Sequence, residues 1–410
     1  MRFLFVHKHL PGQFEHLIKA LLEDPRHEVV GITQDYNPQH HTLMGLRVET
    51  YAPARLVDQP LHGCLASAAE QIANGLAVAG LLSQLKDEGF VPDICFAHIG
   101  WGEATYFKDI YPAIPLVGYC EFYYHARGVD ADFDPAFPIS QHDVYSIRAA
   151  NGPMLLGLVA MDAGITPTRW QKSLFPDAFQ SKIEVIHEGI DTDRIKPDAS
   201  AVFSLPNGQR LSRQDQVVTY ATRNLEPYRG FHIFARALER VCRQREDCHI
   251  IVAGGDDVAY SARVQGASYR QRAMQDLSYD SRRVHFVGKL TYADYLTLLK
   301  VSSAHVYLTV PFVLSWSLLE AMAAGCTVVA SDTAPVREVI RHEDNGLLAD
   351  FFSPAEIAAN VIRVLDNPHA THRLGEKARH DACRLFDVAE GIARYRQLTL
   401  RLTSSEVLPL

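Results

Sequence analysis

The residues from His305 to Ser331, HVYLTVPFVLSWSLLEAMAAGCTVVAS, include one carboxylate, Glu320. The pattern predicts a buried strand over His305–Val310, stopped by Pro311, whose ring nitrogen cannot donate to a sheet ladder. Ser315 or Ser317 caps a short helix running through Ala324, Gly325 closes it, and Thr327–Ser331 forms the next strand. That helix is apolar on nearly every side and is expected to be buried. A carboxylate there is costly unless something hydrogen-bonds it, and two adjacent ribose hydroxyls would supply two donors at once. The structural alternative pairs Glu320 with an arginine or with backbone amides.

A second segment, VVTYATRNLEPYRGFHIFARAL (Val217–Leu238), places Arg223 directly after a strand and Arg229-Gly230 where a helix begins. A helix N-terminus carries roughly half a positive charge and free N–H groups. Two guanidinium groups beside it suit a diphosphate, because the arginine fork matches phosphate oxygens in pairs. The alternative pairs Arg229 with Glu226 and Arg223 with a carboxylate of its own sheet.

Upstream, HKHLPGQFEHL carries Gly12 after the first strand, either a close approach for a ligand or a plain turn glycine. HIGWGE (His98–Glu103) follows another strand and offers His98, Trp101 and Glu103. Glu121 follows the strand Pro115–Tyr119, and beyond it lie Phe122, Tyr123, Tyr124, His125, Phe133 and Phe137. Aromatic faces stack on the C–H faces of sugar rings while carboxylates bond the hydroxyls. Packing explains any single one of these aromatics equally well. His125 is either an acid/base group or a solvated loop histidine. No His, Cys or Asp cluster has metal-ligand spacing. His40-His41 and Asp130, Asp132 and Asp134 suggest only loops. Arginines and helix termini can stabilise a leaving group as a divalent cation does elsewhere, so no metal is expected.

The elements that must position these groups alternate along the chain. Strands are expected at Phe3–His7, Glu28–Ile32, Asp93–Ala97, Pro115–Tyr119, Gly164–Thr166 and Lys182–His187. Helices are expected at Phe14–Glu23, Cys64–Lys86 and His142–Met161, the last broken at Gly152-Pro153. Residues Glu188–Arg213 turn irregular and read as a linker, with the hinge near Glu188–Pro197. The alternation restarts with strands at Val217–Ala221, Cys248–Ala253 and Val284–Val287 and helices at Phe231–Arg243 and Ala293–Lys300; Gly255–Arg283 is a polar insertion. The expected fold is α/β, with two doubly wound parallel-sheet domains facing across a cleft. The domains are 1–195 and 196–385, with 386–410 a helix that returns to the first. Ligands in such sheets bind beyond the carboxyl ends of the strands.

The 410 residues fit two to three domains, and 47% hydrophobic with 21% charged residues fits a soluble globular chain. A net charge of −8 gives no electrostatic case for nucleic acid. The 7 cysteines form no C-x-x-C pair and read as buried thiols of a reducing cytoplasm. The N-terminus reads as a first strand rather than a signal peptide. The apolar run Leu76–Leu85 is too short to span a membrane. Peripheral membrane contact stays open.

Taken in order, a strand followed by R-x(5)-R-G (Arg223–Gly230), a G-G-D turn (Gly254–Asp256), F-V-G (Phe286–Gly288) and L-L-E-A-M-A-A-G-C (Leu318–Cys326) resemble the nucleotide-sugar domain of retaining glycosyltransferases of family four. DNGLLAD (Asp344–Asp350) and APVREVI (Ala334–Ile340) fall where that family has similar segments. AGITPTRWQ (Ala163–Gln171) and VIHEGIDT (Val185–Thr192) extend a weaker match into the first domain. The resemblance implies the GT-B fold. It implies that Arg223 and Arg229 hold the donor diphosphate, and that Glu320 is the second glutamate of an E-x(7)-E motif, holding the ribose. By the same resemblance Gly254 and Leu290 with its neighbours approach the donor; Gly12 and the backbone of Val313, Leu314 and Ser315 are further donor-binding candidates on their own chemistry. Glu121 stands near a functional histidine of the family, and it or His98 orients hydroxyls. Trp101, Glu103, Tyr124 and His125 would face the acceptor. One position departs: eight residues before Glu320 stands Phe312, not glutamate. Phenylalanine neither donates, accepts nor ionises, so backbone N–H groups of Val313, Leu314 and Ser315, or the hydroxyls of Ser315 and Ser317, would have to serve instead.

The implied activity is a metal- and cofactor-free, retaining transfer of a sugar from a nucleoside-diphosphate sugar to a carbohydrate, glycolipid or other hydroxyl acceptor. Its implied setting is polysaccharide or glycoconjugate assembly in the cytoplasm, membrane association on the inner face left open. A non-catalytic sugar-nucleotide binder, and an epimerase or phosphorylase on the same fold, are the alternatives.

Overall fold

Short apolar runs rich in Val, Ile, Phe and Tyr become the strands. A computed structural model describes residues 1–36, 45–54 and 62–404. In it β1 (Arg2–Val6), β2 (Glu28–Gln34), β3 (Arg47–Tyr51), β4 (Ile94–His98), β5 (Leu116–Tyr119), β6 (Ala163–Thr166) and β7 (Ile183–Val185) form a seven-stranded sheet in the order β3-β2-β1-β4-β5-β6-β7. Every pairing in it is parallel. Side chains alternate across it: Phe3 and Phe5 enter one core with Phe14 and Phe96, while Leu4 and Val6 enter the other with Val78, Leu82 and Leu158.

A hairpin of β8 (Val202–Ser204) and β9 (Arg210–Ser212) precedes the second sheet. That sheet is β10 (Gln216–Asn224), β11 (Cys248–Gly255), β12 (Val284–Gly288), β13 (Ala304–Tyr307), β14 (Thr327–Ser331) and β15 (Leu347–Ala349). It is six-stranded and parallel, in the order β12-β11-β10-β13-β14-β15. By contact clustering one unit is Met1–Gly189 with Val388–Leu410, and the other is Ile190–Asp387. Ile190 and Ile195 belong to the core of the second. The helix Val388–Thr403 puts Tyr395 and Leu398 into the core of the first.

Four local expectations are corrected. The helix Gln141–Ala160 runs unbroken with Pro153 inside it. Flanking side chains hold it there, since the Gln71 amide donates to the Ala150 carbonyl and Asn151 brackets the Tyr124 backbone. The stretch 188–213 is not wholly irregular: Asn207-Gly208 is the turn of the β8–β9 hairpin, with Leu205 N–H bonded to the Gln209 carbonyl. β3 went unpredicted, being a short edge strand with two charged residues in RVETY. Finally, Gly63–Asp87 is long and apolar enough to cross a membrane by length and composition. It packs on the first sheet, with Val78, Leu82 and Leu85 in the core.

In each sheet the strand order reverses beside one strand: β1 lies between β2 and β4, and β10 between β11 and β13. Connections from such neighbours diverge to opposite faces and leave a crevice at the carboxyl ends of the strands. The loops at those two points carry most of the chemically suggestive residues.

Candidate functional site

The crevice of the second unit is built by the loops after β10 and β13. Arg223, the penultimate residue of β10, is exposed, and no hydrogen bond or ion pair joins its side chain to any described residue. Arg229 ends a short 3-10 turn, Pro227–Arg229, and Gly230 then takes φ +67 to start the helix Phe231–Gln244. Only glycine fits there, since a Cβ would come 2.6 Å from the Leu308 Cβ. No side chain caps that helix start.

The Arg229 guanidinium is buried, 8% exposed, and no carboxylate lies within ion-pair distance among the described residues. Its Nη1 donates to Thr309 Oγ1 at 2.9 Å and faces the Val313 carbonyl at 3.5 Å. Its cation lies 5.1 Å from the centroid of the Tyr260 ring and 5.8 Å from that of Phe312. Glu226 is not its partner. That carboxylate, fully buried, accepts from the successive N–H groups of Ala259, Tyr260 and Ser261, which holds the insertion so that Tyr260 stands over Arg229. Aromatic faces lower the cost of a buried cation without neutralising it. The arginine is therefore held charged and uncompensated, the condition of an anion site.

Phe312, buried where the resembling family has glutamate, packs edge-on to Tyr228 at 5.4 Å and against Tyr260 at 5.2 Å. Beyond it the N–H groups of Val313 and Leu314 have no partner among the described residues. The Ser315 N–H differs from expectation, since it is spent on Tyr307 Oη at 3.1 Å. The Ser315 hydroxyl instead caps the helix Trp316–Ala323, accepting from Ser317 N–H. Glu320 on that helix is 8% exposed, and its Oε1 accepts from the Tyr292 hydroxyl at 2.7 Å. Among the described residues neither an arginine nor a backbone amide holds it. Burial pushes its carboxyl above the ordinary range, and the Tyr292 and Tyr295 hydroxyls partly offset that. Gly254 takes φ +155 with Leu225 and the Thr222 carbonyl against it, and Leu290, half-buried, packs against the core beneath it.

The crevice of the first unit holds a second constellation. Glu121 follows β5 with its side chain 26% exposed. Its Oε1 accepts from Gln13 Nε2 at 2.7 Å, and its Oε2 lies 3.3 Å from His98 Nε2. Its carbonyl accepts from Gln171 Nε2 at 2.6 Å. The indole of Trp101 stacks on His98 with centroids 3.7 Å apart. Gly12 takes φ +51, and a Cβ there would come 2.2 Å from the His7 ring. The His7 ring alone thus requires a glycine there. Gly12→Ala is expected to cost about 1–3 kcal/mol through strain and overpacking, read as a lower urea midpoint.

Two acceptor candidates are engaged by other parts of the protein. Glu103 is buried, 1% exposed, and accepts from Tyr51 Oη at 2.7 Å, so it belongs to the core. His125 is half-buried, and its Nε2 is tied to the Leu174 carbonyl at 2.8 Å. Tyr124 stays half-exposed. Asp132 and Asp134 accept from the nearby N–H groups of Gly128 and Ala136, as loop residues do. His40-His41 lies outside the described residues. Among the described residues no three His, Cys, Asp or Glu are placed to hold a metal. Sequence reasoning missed His7, Gln13, Gln171, Tyr260 and Tyr292, whose types carry no motif; His7, Gln13 and Gln171 sat inside segments already singled out, but for other residues.

A family model described as "Glycosyl transferase family 4 group" matches residues 25–195, and one described as "Glycosyl transferases group 1" matches residues 207–381. The chain is 26% identical over 301 residues to the phosphatidyl-myo-inositol mannosyltransferase of Mycobacterium tuberculosis, covering 65% of this chain and 72% of that protein. It is 26% identical over 156 residues to an uncharacterized glycosyltransferase of Methanocaldococcus jannaschii, covering 38% and 37%. With a putative glycosyltransferase of Bacillus subtilis the match spans 54% of each chain. Two solved structures share the fold. Anabaena HepE in complex with UDP gives a TM-score of 0.69 at 19% identity, over 97% of this chain and 99% of that one. A sucrose-phosphate synthase from Thermosynechococcus elongatus gives 0.70 at 16% identity, over 99% and 100%.

Proposed function

Because the chain belongs to the group 1 glycosyl transferases of family four and has their GT-B fold, we propose that it binds a nucleoside-diphosphate sugar and passes the sugar, with retention, to an acceptor hydroxyl. The observation that carries the reading is Arg229: a buried, uncompensated guanidinium beside the free N–H groups of Val313 and Leu314 and an uncapped helix start. A diphosphate supplies the missing charge and acceptors. Arg223, exposed and unengaged, reaches the same phosphates from the end of β10. Glu320 takes the ribose hydroxyls, with Tyr292 turning aside. Gly254 and the backbone around Leu290 line the approach of the base, and Phe312 with Tyr260 presents an apolar wall. Family relatives named for mannose transfer from GDP-mannose, and a structural neighbour bound to UDP-glucose, support a nucleotide-sugar donor.

Chemically, the bond from the anomeric carbon to the diphosphate breaks as positive charge spreads over the sugar ring. Arg229, Arg223 and the amides near Val313 stabilise the departing phosphate charge. The acceptor hydroxyl enters on the same face and gives its proton to a departing phosphate oxygen. Glu121, held between Gln13 and His98, orients a hydroxyl by accepting from it. Lipid-surface contact is part of the reading and is supported by Leu76 on Ala66–Asp87 and by Tyr145, Leu156 and Val159 on Gln141–Ala160, all exposed.

Thermal unfolding across UDP, GDP, ADP and dTDP sugars tests the reading. One series is expected to stabilise the protein by about 2.7 kcal/mol at a hundredfold excess over Kd. No shift with any of them would remove the donor site. Phe312 favours one rival, a binder without turnover; nucleoside diphosphate released from the stabilising donor excludes it.

A further inference from the structure

The geometry around Glu121 has a direction. The His9 N–H donates to His7 Nδ1 at 3.0 Å, so the proton of that ring sits on Nε2. His7 Nε2 is 2.6 Å from Gln13 Oε1 and donates to it. Burial and the nearby His98 ring push His7 well below the ordinary histidine range, which keeps it neutral and in that tautomer. With its oxygen so occupied, the Gln13 amide can only turn its NH2 to Glu121, 2.7 Å away. From the other side the Gly100 N–H donates to His98 Nδ1 at 3.1 Å, which leaves the His98 proton on Nε2, facing Glu121. Each carboxylate oxygen of Glu121 thus receives one hydrogen bond, one from Gln13 Nε2 and one from His98 Nε2. No lysine or arginine pairs with that carboxylate among the described residues.

We propose that Gln13, aimed by His7, is the positioning residue of the Glu121 carboxylate, holding it as an acceptor-only anion whose remaining lone pairs are open to hydroxyl donors, the recognition chemistry of a sugar or polyol. This rests on the proposed role of Glu121. The backbone is shaped to the same end. Gly12 lets the loop pass over His7, Gly100 lets its N–H reach the His98 ring, and Gln171 pins the Glu121 carbonyl. The polarity of the chain matters more than its existence, because reversing the Gln13 amide would set two oxygens against each other.

Two measurements on the full chain test it. Histidine 15N spectra are expected to show the proton of His7 and that of His98 each on Nε2. A His7 proton on Nδ1 overturns the relay whatever the kinetics. Turnover is read as diphosphate released from UDP-glucose and from GDP-mannose, with glycerol and with water as acceptors. Glu121→Gln, Gln13→Leu and Gln13→Glu are each expected to lower kcat about ten- to a hundredfold, with UDP and GDP affinity unchanged. Gln13→Glu keeps the His7 bond and loses the donor to Glu121, so a loss no milder than that of Gln13→Leu separates aiming from packing. The double variant Gln13→Leu/Glu121→Gln should be no slower than Glu121→Gln alone. Losses that multiply, or a wild-type rate in Gln13→Glu, overturn the positioning role while the Glu121 reading stands. A wild-type rate in Glu121→Gln removes that reading first. Where neither donor turns over, the spectra decide.

Discussion

Arg229→Met is expected to lower kcat/KM at least about thirtyfold, ~2 kcal/mol of transition-state stabilisation, while leaving the ligand-free protein as stable as before or more so. The two halves of that result come from one fact. The guanidinium is buried beside Tyr260 and Phe312 with no carboxylate to neutralise it. In the empty protein it is a net burden, and an unbranched apolar chain of similar length fills its place without that burden. Most stabilising side chains behave the opposite way, losing stability and function together. Steady-state kinetics and urea unfolding on the same preparation check both halves. An unchanged kcat/KM would take Arg229 out of the site. A large loss of stability would mean that the cation serves the fold through Thr309 and Val313 rather than a ligand.

Glu320→Gln is expected to weaken nucleoside-diphosphate binding by about 1.5–3 kcal/mol, the range for hydrogen bonds to a charged group. The carboxylate accepts from two hydroxyls; an amide offers one acceptor and two donors. Calorimetry showing equal affinity in the folded variant would contradict the ribose role. Stability should respond with the opposite sign. Burial raises the Glu320 carboxyl above its unfolded value, so the folded state holds its proton longer as pH rises. Stability therefore falls as pH climbs from about 4.3, the unfolded value, through the folded one, and stays lowered above it. Glutamine has no such loss. The variant should match the wild type near pH 4 and exceed it at pH 7.5, as urea midpoints will read.

The fold was legible because its signals are periodic and local. Strand-length apolar runs separated by amphipathic helices dictate parallel α/β layers, and the family motifs fall at the ends of those runs. Glu320, Arg229 and Ser315 were readable for a similar reason, since each sits at a strand end or helix cap whose geometry is nearly fixed by its neighbours. What was not legible were pairings made across long sequence distances. Nothing near Glu103 announces Tyr51, nor does Gln13 announce Glu121, 108 residues away. Glu226 reads as the obvious partner of Arg229 three positions on, yet its carboxylate turns to the insertion instead. Pro153 reads as a break because the residues that steady it, Gln71 and Tyr124, are distant in the chain. The Phe312 departure was visible at once. Its consequence, a ring set beside the guanidinium, needed coordinates.

The two crossings between units have a consequence for how the polypeptide comes off the ribosome. The second unit, Ile190–Asp387, is encoded between two parts of the first. Tyr395 and Leu398, which close over Phe5, Phe14 and Phe96, emerge after the entire second unit has been made. The later-encoded half is thus complete while the earlier half still waits with aromatic side chains uncovered. A polypeptide released after residue 387 would carry the whole of Ile190–Asp387 and an amino-terminal half lacking its final layer.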